Sequence, residues 1–300
     1  MIKFHGGLHR CKTFAQKINT YPMKKSTRAA KAQETLTIID AGYYLCDGEK
    51  INVKEDVRRS IDNSVLHRGG EFGSVMEVVE QMLGELKLAT KLTVENMTVL
   101  EGAARMAKSA GQIGCLNFAS AKNPGGGFLN GALAQEESLA VSSSLYGTQM
   151  KNHEFYSSHQ SQKTYLYSDN MIYSPDVVVF RDDDGELLQQ PYKLSIITSP
   201  ATNIGAIRTN KPEEMQYVEE TMLCRMDKVL GLFVYYGIKR LLLGAWGCGV
   251  FQNEPEDIAK WFAYYLKEGG KYHGCFEEVV FAVYDRSKGQ ENIAAFERVF

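Results

Sequence analysis

Two adjacent carboxylates, Glu136 and Glu137, follow Gln135 and lie a short way downstream of Gly125-Gly126-Gly127. Carboxyl groups at such a site can hold sugar hydroxyls and can pass a proton to or from a glycosidic oxygen. Three consecutive glycines leave a turn without side chains, so a ligand can approach its amides closely. Upstream, the chain reads Asn117-Phe118-Ala119-Ser120-Ala121-Lys122-Asn123-Pro124, with Asn117 and Asn123 flanking a strand-to-turn junction. The chemistry this combination suits is acid/base or hydroxyl-binding work on a phosphorylated sugar. Neighbouring helix residues point about 100° apart, so the two carboxyls do not flank one bond as a glycosidase pair does. One can grip hydroxyls while the other addresses the glycosidic oxygen. A carboxyl that donates must start protonated, and burial would raise its pKa usefully. The plain alternative is a pair of solvated acids at a helix N-terminus, where negative charge is favoured.

A second loop, Gly247-Cys248-Gly249-Val250-Phe251-Gln252-Asn253, follows the apolar run Leu241–Trp246, and Glu254-Pro255 opens the next helix. Loops at the C-terminal ends of strands are where open α/β sheets bind ligands. Gln252 occupies the third glycine position of a dinucleotide fingerprint, and no Lys-Ser/Thr pair completes a Walker loop. Cys248 has no histidine near it in sequence and is a poor candidate nucleophile. Phe251 is either a ligand contact or ordinary core. Asn123 is positioned to hydrogen-bond a ribose, although asparagine is also a common turn former. His153 and His159 fall in what reads as a polar loop, with exposed or structural roles.

The elements that must position these residues are legible from periodicity. Helical patterns cover 29–44 and 75–87, separated by a charged, turn-rich stretch over 47–70. Strands are expected at 92–97, 113–118, 177–180, 194–198, 241–246 and 279–284. Thr98 and Glu101 form a capping box opening a helix to about Ser109. Residues 132–146 read as one helix carrying Glu136 and Glu137 in its first turns, and further helices are expected at 212–236, 255–267 and 290–299. Strands alternating with helices argue for a mixed sheet covered on both faces. The Asp182-Asp183-Asp184-Gly185 run reads as an exposed turn.

An apolar fraction of 44% and a charged fraction of 23% are those of a globular protein with a substantial core. No apolar run approaches the roughly 18 residues that span a bilayer, so membrane insertion is not expected. The cysteines at 11, 46, 115, 224, 248 and 275 are scattered, with no C-x-x-C pair and no ligand-spaced histidines. Free thiols in a reducing, intracellular setting (cytoplasmic or nuclear) and no metal site are the expectation. Residues 1–31 carry eight Lys or Arg and no acid, leaving 26 basic against 36 acidic residues in the rest. The basic segment, read as a tail over 1–28, could also be an organelle address or a nucleic-acid arm. The acidic body argues against broad nucleic-acid binding.

The Gly-Gly-Gly run, followed after a short spacer by Gln-Glu-Glu, resembles the signature of poly(ADP-ribose) glycohydrolases (PARGs). The flanking text resembles the microbial type of that family from about Lys31 to Phe300, most densely at 117–146, 173–184, 198–203 and 244–255. The resemblance implies a macrodomain-like three-layer α/β/α fold. Its divisions would be a helical accessory region over 29–90 and a catalytic core over 91–300. It implies that Glu136 binds the terminal ribose hydroxyls and that Glu137 protonates the departing ribose oxygen and then activates water. It makes the second loop, Gly247 to Phe251, the diphosphate site, with Phe251 as the aromatic contact to the adenosine side. Asn117, Asn123, Gly125, Gly126, Gly127 and Gln135 join it as substrate-binding residues, and the segment Ser199-Pro200-Ala201 lines the pocket. No cofactor is implied. The expected partners are poly(ADP-ribose) or ADP-ribosylated proteins, with ADP-ribose as product of exo cleavage by a monomer. A mono-ADP-ribosyl hydrolase and a non-catalytic ADP-ribose reader remain the competing readings.

Overall fold

The strand Ile113–Phe118 (IGCLNF) is buried along nearly its whole length, as a central parallel strand covered on both faces must be. In the computed structural model, which describes residues 23–300, it is the middle of a seven-stranded sheet. The strands are β3 (Val65–His67), β4 (Lys91–Glu95), β5 (Ile113–Phe118), β6 (Met171–Arg181), β7 (Leu187–Ser199), β8 (Arg240–Leu243) and β9 (Glu278–Ala282). Their spatial order is β3-β6-β7-β5-β8-β9-β4. Pairing is parallel from β7 through β5, β8 and β9 to β4, and antiparallel at β3/β6 and β6/β7. A separate hairpin joins β1 (Tyr43–Cys46) to β2 (Glu49–Asn52).

Alternation along the strands divides the core in two. Leu116, Ile197, Leu241, Leu243, Val279 and Phe281 face one cluster, against α3 (Phe72–Leu83), α9 (Val218–Tyr235), α10 (Pro255–Leu266) and α11 (Glu291–Val299). Ile113, Cys115, Ile196, Leu242 and Val280 face the other, against α4 (Val99–Met106), α5 (Gln135–Ser142) and the start of α6 (Leu145–Lys151). The result is the expected three-layer α/β/α arrangement with a mixed sheet. The capping box is present: Thr98 Oγ1 accepts the Glu101 amide at 3.0 Å, and Glu101 Oε2 accepts the Thr98 amide at 2.9 Å.

The N-terminal third differs from its reading. Helix α1 spans Lys25–Ala41 and stops because Gly42, at φ +73°, takes a left-handed cap and donates to the Ile38 carbonyl. Tyr43 and Tyr44 therefore lie in β1 and not in the helix. The supposed turn-rich stretch 47–70 contains β2, α2 (Lys54–Asp62) and β3, elements too short to carry a clear period. Strand β3 adds to the edge of the main sheet through β6, so the 29–90 region shares that sheet with the residues that follow. The tail read over 1–28 lies, for residues 1–22, outside the described residues. Lys25–Arg28 form the first turn of α1, where Arg28 Nε donates to the Gly131 carbonyl at 2.8 Å.

The expected helix over 132–146 is two helices. Ser143 is extended and bridges Val179, while Ser144 exchanges hydrogen bonds with Val178 through its amide at 2.9 Å and its hydroxyl at 3.0 Å. The chain is pulled onto the β6 backbone there and restarts as α6. His153 and His159, read as lying in a loop, flank and enter α7 (Glu154–Ser161), and α8 (Ile204–Asn210) is also additional. No helix among the described residues is long and apolar enough to cross a membrane. The five described cysteines are all free, and Cys11 lies outside the described residues.

Candidate active site

The C-terminal ends of β5, β7 and β8 open into three loops: 119–134, 200–203 and 244–254. Parallel strands deliver them to one edge of the sheet, the edge at which α/β folds bind ligands. The first loop leads directly into α5, so Glu136 and Glu137 fall in the first turn of a helix aimed by β5.

Gln135 sets that helix in place. Its Oε1 accepts the Phe118 amide at 2.9 Å, and its Nε2 donates to the Leu116 carbonyl at 2.8 Å. The side chain thus pairs with β5 as a short strand would, and its amide is spent on backbone. Its sequence motif suggests a substrate contact; the geometry makes it the fastening between strand and helix.

Glu136 is buried, at 3% exposure. Its Oε1 receives Asn117 Nδ2 at 3.1 Å and Gln149 Nε2 at 3.0 Å, and its Oε2 receives the Ser120 amide at 2.6 Å. Burial raises its pKa to about 8 and Glu137 adds to the rise, against three donors that favour the ionised form. Asn117, also fully buried, pairs across the sheet with Thr198 and donates to its hydroxyl at 3.2 Å. Asn117 is therefore part of the floor that carries Glu136.

Glu137 is only partly buried, and its Oε1 accepts the Gly127 amide at 2.9 Å. Its other oxygen takes no hydrogen bond from the described residues. The glycines make this approach possible. Gly125 and Gly126 adopt φ of +64° and +59°, and a side chain on Gly126 would overlap the Glu137 carboxylate and meet Glu136 Oε2 at 3.2 Å. The Gly126 amide closes the turn on the Asn123 carbonyl at 3.0 Å. The triple glycine is thus first a place for two carboxylates, and its amides are only in part bare. Asn123 is exposed at the rim of this turn.

The second loop keeps the exposed amides. Those of Gly249, Val250 and Phe251 have no partner among the described residues, and Val250 stands 83% exposed at the tip. Gly247, at φ +77°, lets the loop pass Ala201, whose Cβ would lie 2.5 Å from an added Cβ. Asn253 ties the base by donating to the Thr202 carbonyl at 2.8 Å and the Gly247 carbonyl at 3.2 Å. Amides presented this way form an anion cradle. Desolvation pushes the Cys248 thiol far up, which suits a packing role and not a nucleophile.

Phe251 is half-buried and meets Tyr167 with ring centres 5.9 Å apart. Tyr167 holds a left-handed φ of +59°, a strained conformation for an aromatic residue that surrounding contacts must impose. Arg225, fully buried, donates to the Tyr167 carbonyl at 3.2 Å, the Pro200 carbonyl at 3.1 Å and Asp169 at 2.9 Å. Burial raises the pKa of Asp169, but Arg225 and Lys228 outweigh it and hold that carboxyl below the usual range. His159 is buried beneath, between the Phe155 carbonyl and the Ser168 hydroxyl, which makes it structural. Among the described residues no group of three His, Cys, Asp or Glu side chains is arranged to hold a metal.

Residues 32–182, which include the first loop and both glutamates, match the family described as microbial-type PARG, catalytic domain. The chain belongs to this family. The PARG crystal structure from Thermomonospora curvata superposes with a TM-score of 0.84 at 41% identity, covering 92% of this chain and 100% of that one. The same enzyme bound to the inhibitor ADP-HPD gives 0.83 at 42% identity over the same shares. A PARG from Deinococcus radiodurans in complex with ADP-ribose gives 0.77 at 38% identity, covering 81% of this chain and 96% of that chain. A search of curated proteins finds no match.

Within this PARG fold, sequence reading missed Ser120, Gln149, Tyr167 and Thr198. Ser120, Gln149 and Thr198 are ordinary polar residues whose role comes only from what the fold packs against them. Tyr167 is an isolated aromatic in an irregular segment, without any local pattern to mark it.

Proposed function

We propose that this chain hydrolyses the ribose–ribose O-glycosidic bonds of poly(ADP-ribose) and releases ADP-ribose from chain ends. The observation that carries the reading is the fastening of Glu137 Oε1 to the Gly127 amide at 2.9 Å, with its second oxygen free of donors among the described residues. A carboxyl held by one oxygen and open at the other can donate a proton to a leaving ribose oxygen and then take one from water. Glu136, on its buried floor, holds the ribose hydroxyls, while Asn123 lies at the rim where the terminal ribose enters. The second loop grips the diphosphate through the amides of Gly249, Val250 and Phe251, and the Phe251 ring meets the adenosine side.

In this mechanism the glycosidic bond breaks as Glu137 protonates the departing oxygen. The ribosyl oxocarbenium ion is then captured by water, which Glu137 deprotonates, returning the carboxyl to its starting state. Family membership and the solved PARG complexes with ADP-ribose and ADP-HPD support the substrate class. Both loops and both glutamates come from one chain, which supports action as a monomer. The scattered free thiols support an intracellular setting, cytoplasmic or nuclear.

The experiment is product analysis on defined poly(ADP-ribose). Free ADP-ribose as the main product supports exo cleavage. Long oligomers would contradict that part of the reading, and tight ADP-ribose binding without turnover would turn it toward a non-catalytic reader.

A further inference from the structure

The break between α5 and α6 brings Gln149 back under Glu136. Gln149 sits one turn into α6, is fully buried, and donates its Nε2 to Glu136 Oε1 at 3.0 Å. Asn117 Nδ2 reaches the same oxygen at 3.1 Å. A carboxylate oxygen has about two in-plane acceptor sites, so two amide donors fill Oε1. Among the described residues Oε2 has a single donor, the Ser120 amide, and it lies against the glycine turn, 3.2 Å from where a Cβ on Gly126 would sit. The carbonyl oxygens of both side-chain amides, Asn117 Oδ1 and Gln149 Oε1, are buried without a partner among the described residues. These two side chains are kept in a costly, half-satisfied state by what they do for Glu136.

We infer that Gln149 is a positioning residue that, with Asn117, saturates Glu136 Oε1 from below and so presents Glu136 Oε2 to the hydroxyls of the bound ribose. The inference rests on the reading of Glu136 as the ribose-binding acid, and names the residue that fixes which of its oxygens does the binding. Gln149 touches no ligand; it acts through the χ angles of Glu136.

The test compares two ligands that differ in the distal ribose. ADP-ribose and ADP share the adenosine and the diphosphate, so a change in their affinity ratio between wild type and variant reports the contacts to the distal ribose. Isothermal titration of wild type, Gln149→Leu and Gln149→Met with each ligand measures that ratio. Loss of one buried hydrogen bond to Glu136 predicts ADP-ribose binding weakened by up to about tenfold, with ADP binding unchanged. Equal weakening of both ligands would assign Gln149 to general stability of the pocket and overturn the inference, as would no change in either. Melting temperatures identify folded variants, and Gln149→Met, close in length and volume, decides if the leucine variant does not fold. Polymer hydrolysis by wild type is scored apart from this ratio. A missing activity counts against the proposed function, while the ratio still decides the role of Gln149.

Discussion

The Glu137 carboxylate accepts the amide of Gly127 at 2.9 Å, joining the first turn of α5 to a residue ten positions earlier in the chain. The contact closes the glycine turn over the helix that carries the acid. It also explains the choice of glycine at 126, because any side chain there would occupy the space of that carboxylate.

Gly126→Ala is therefore expected to displace Glu137. The backbone at φ +59° would add about 1–2 kcal/mol of strain for an L-residue. A misplacement of the order of 1 Å costs roughly a hundredfold in rate. Steady-state kinetics with a parallel thermal melt check this: turnover should collapse while the fold persists. A rate close to wild type would remove the steric account of the triple glycine.

Phe251→Ala should weaken ADP-ribose binding by about 1–3 kcal/mol, the range for an aromatic stacking contact. Calorimetry reads it directly. Unchanged affinity would return Phe251 to the role of a packing partner for Tyr167.

The raised pKa of Glu136 predicts how stability varies with pH. Its carboxyl moves from 4.5 to about 8 on folding, chiefly through burial. Between those values the folded chain keeps a proton that the unfolded chain releases, so the contribution is full below the lower value and fades as pH rises through the upper one. The ligand-free protein should lose melting temperature from about pH 5 to about pH 8 relative to Glu136→Gln, which lacks the titrating group. Parallel curves for the two proteins would show that Glu136 ionises with an ordinary pKa.

Arg28 matters although it lies in the segment that reads as a tail. Its guanidinium donates to Gly131 in the loop that leads into α5, so Arg28→Ala should destabilise the fold by about 1–2 kcal/mol. Deleting residues 1–28 should cost at least as much. Urea denaturation checks both, and a midpoint equal to wild type would restore the view of residues 25–28 as a dispensable address.

The layered core was legible because strands such as Ile113–Phe118 and Leu241–Leu243 are apolar on both faces and lie between clear helical periods. The glutamate pair was legible because glycine and carboxylate are rare in that local order. What could not be read is what depends on contacts distant in sequence. Gln135 looks like part of a substrate motif until its amide is found paired with β5. The split at Ser143 comes from pairing with Val178 and Val179 on β6, which no helical period records. Gln149 and Tyr167 owe their importance to that split and to the buried Arg225, and neither carries a local signal.

The central claim is that Glu137 supplies the proton that breaks the ribose–ribose bond. The most direct measurement is chromatographic product analysis of defined poly(ADP-ribose) incubated with wild type and with Glu137→Gln, beside ADP-ribose binding by both. The glutamine can still accept the Gly127 amide but cannot transfer the proton. The account predicts free ADP-ribose from wild type and turnover lowered by roughly two to four orders of magnitude in the variant, with binding retained. Appreciable ADP-ribose release by Glu137→Gln would contradict it.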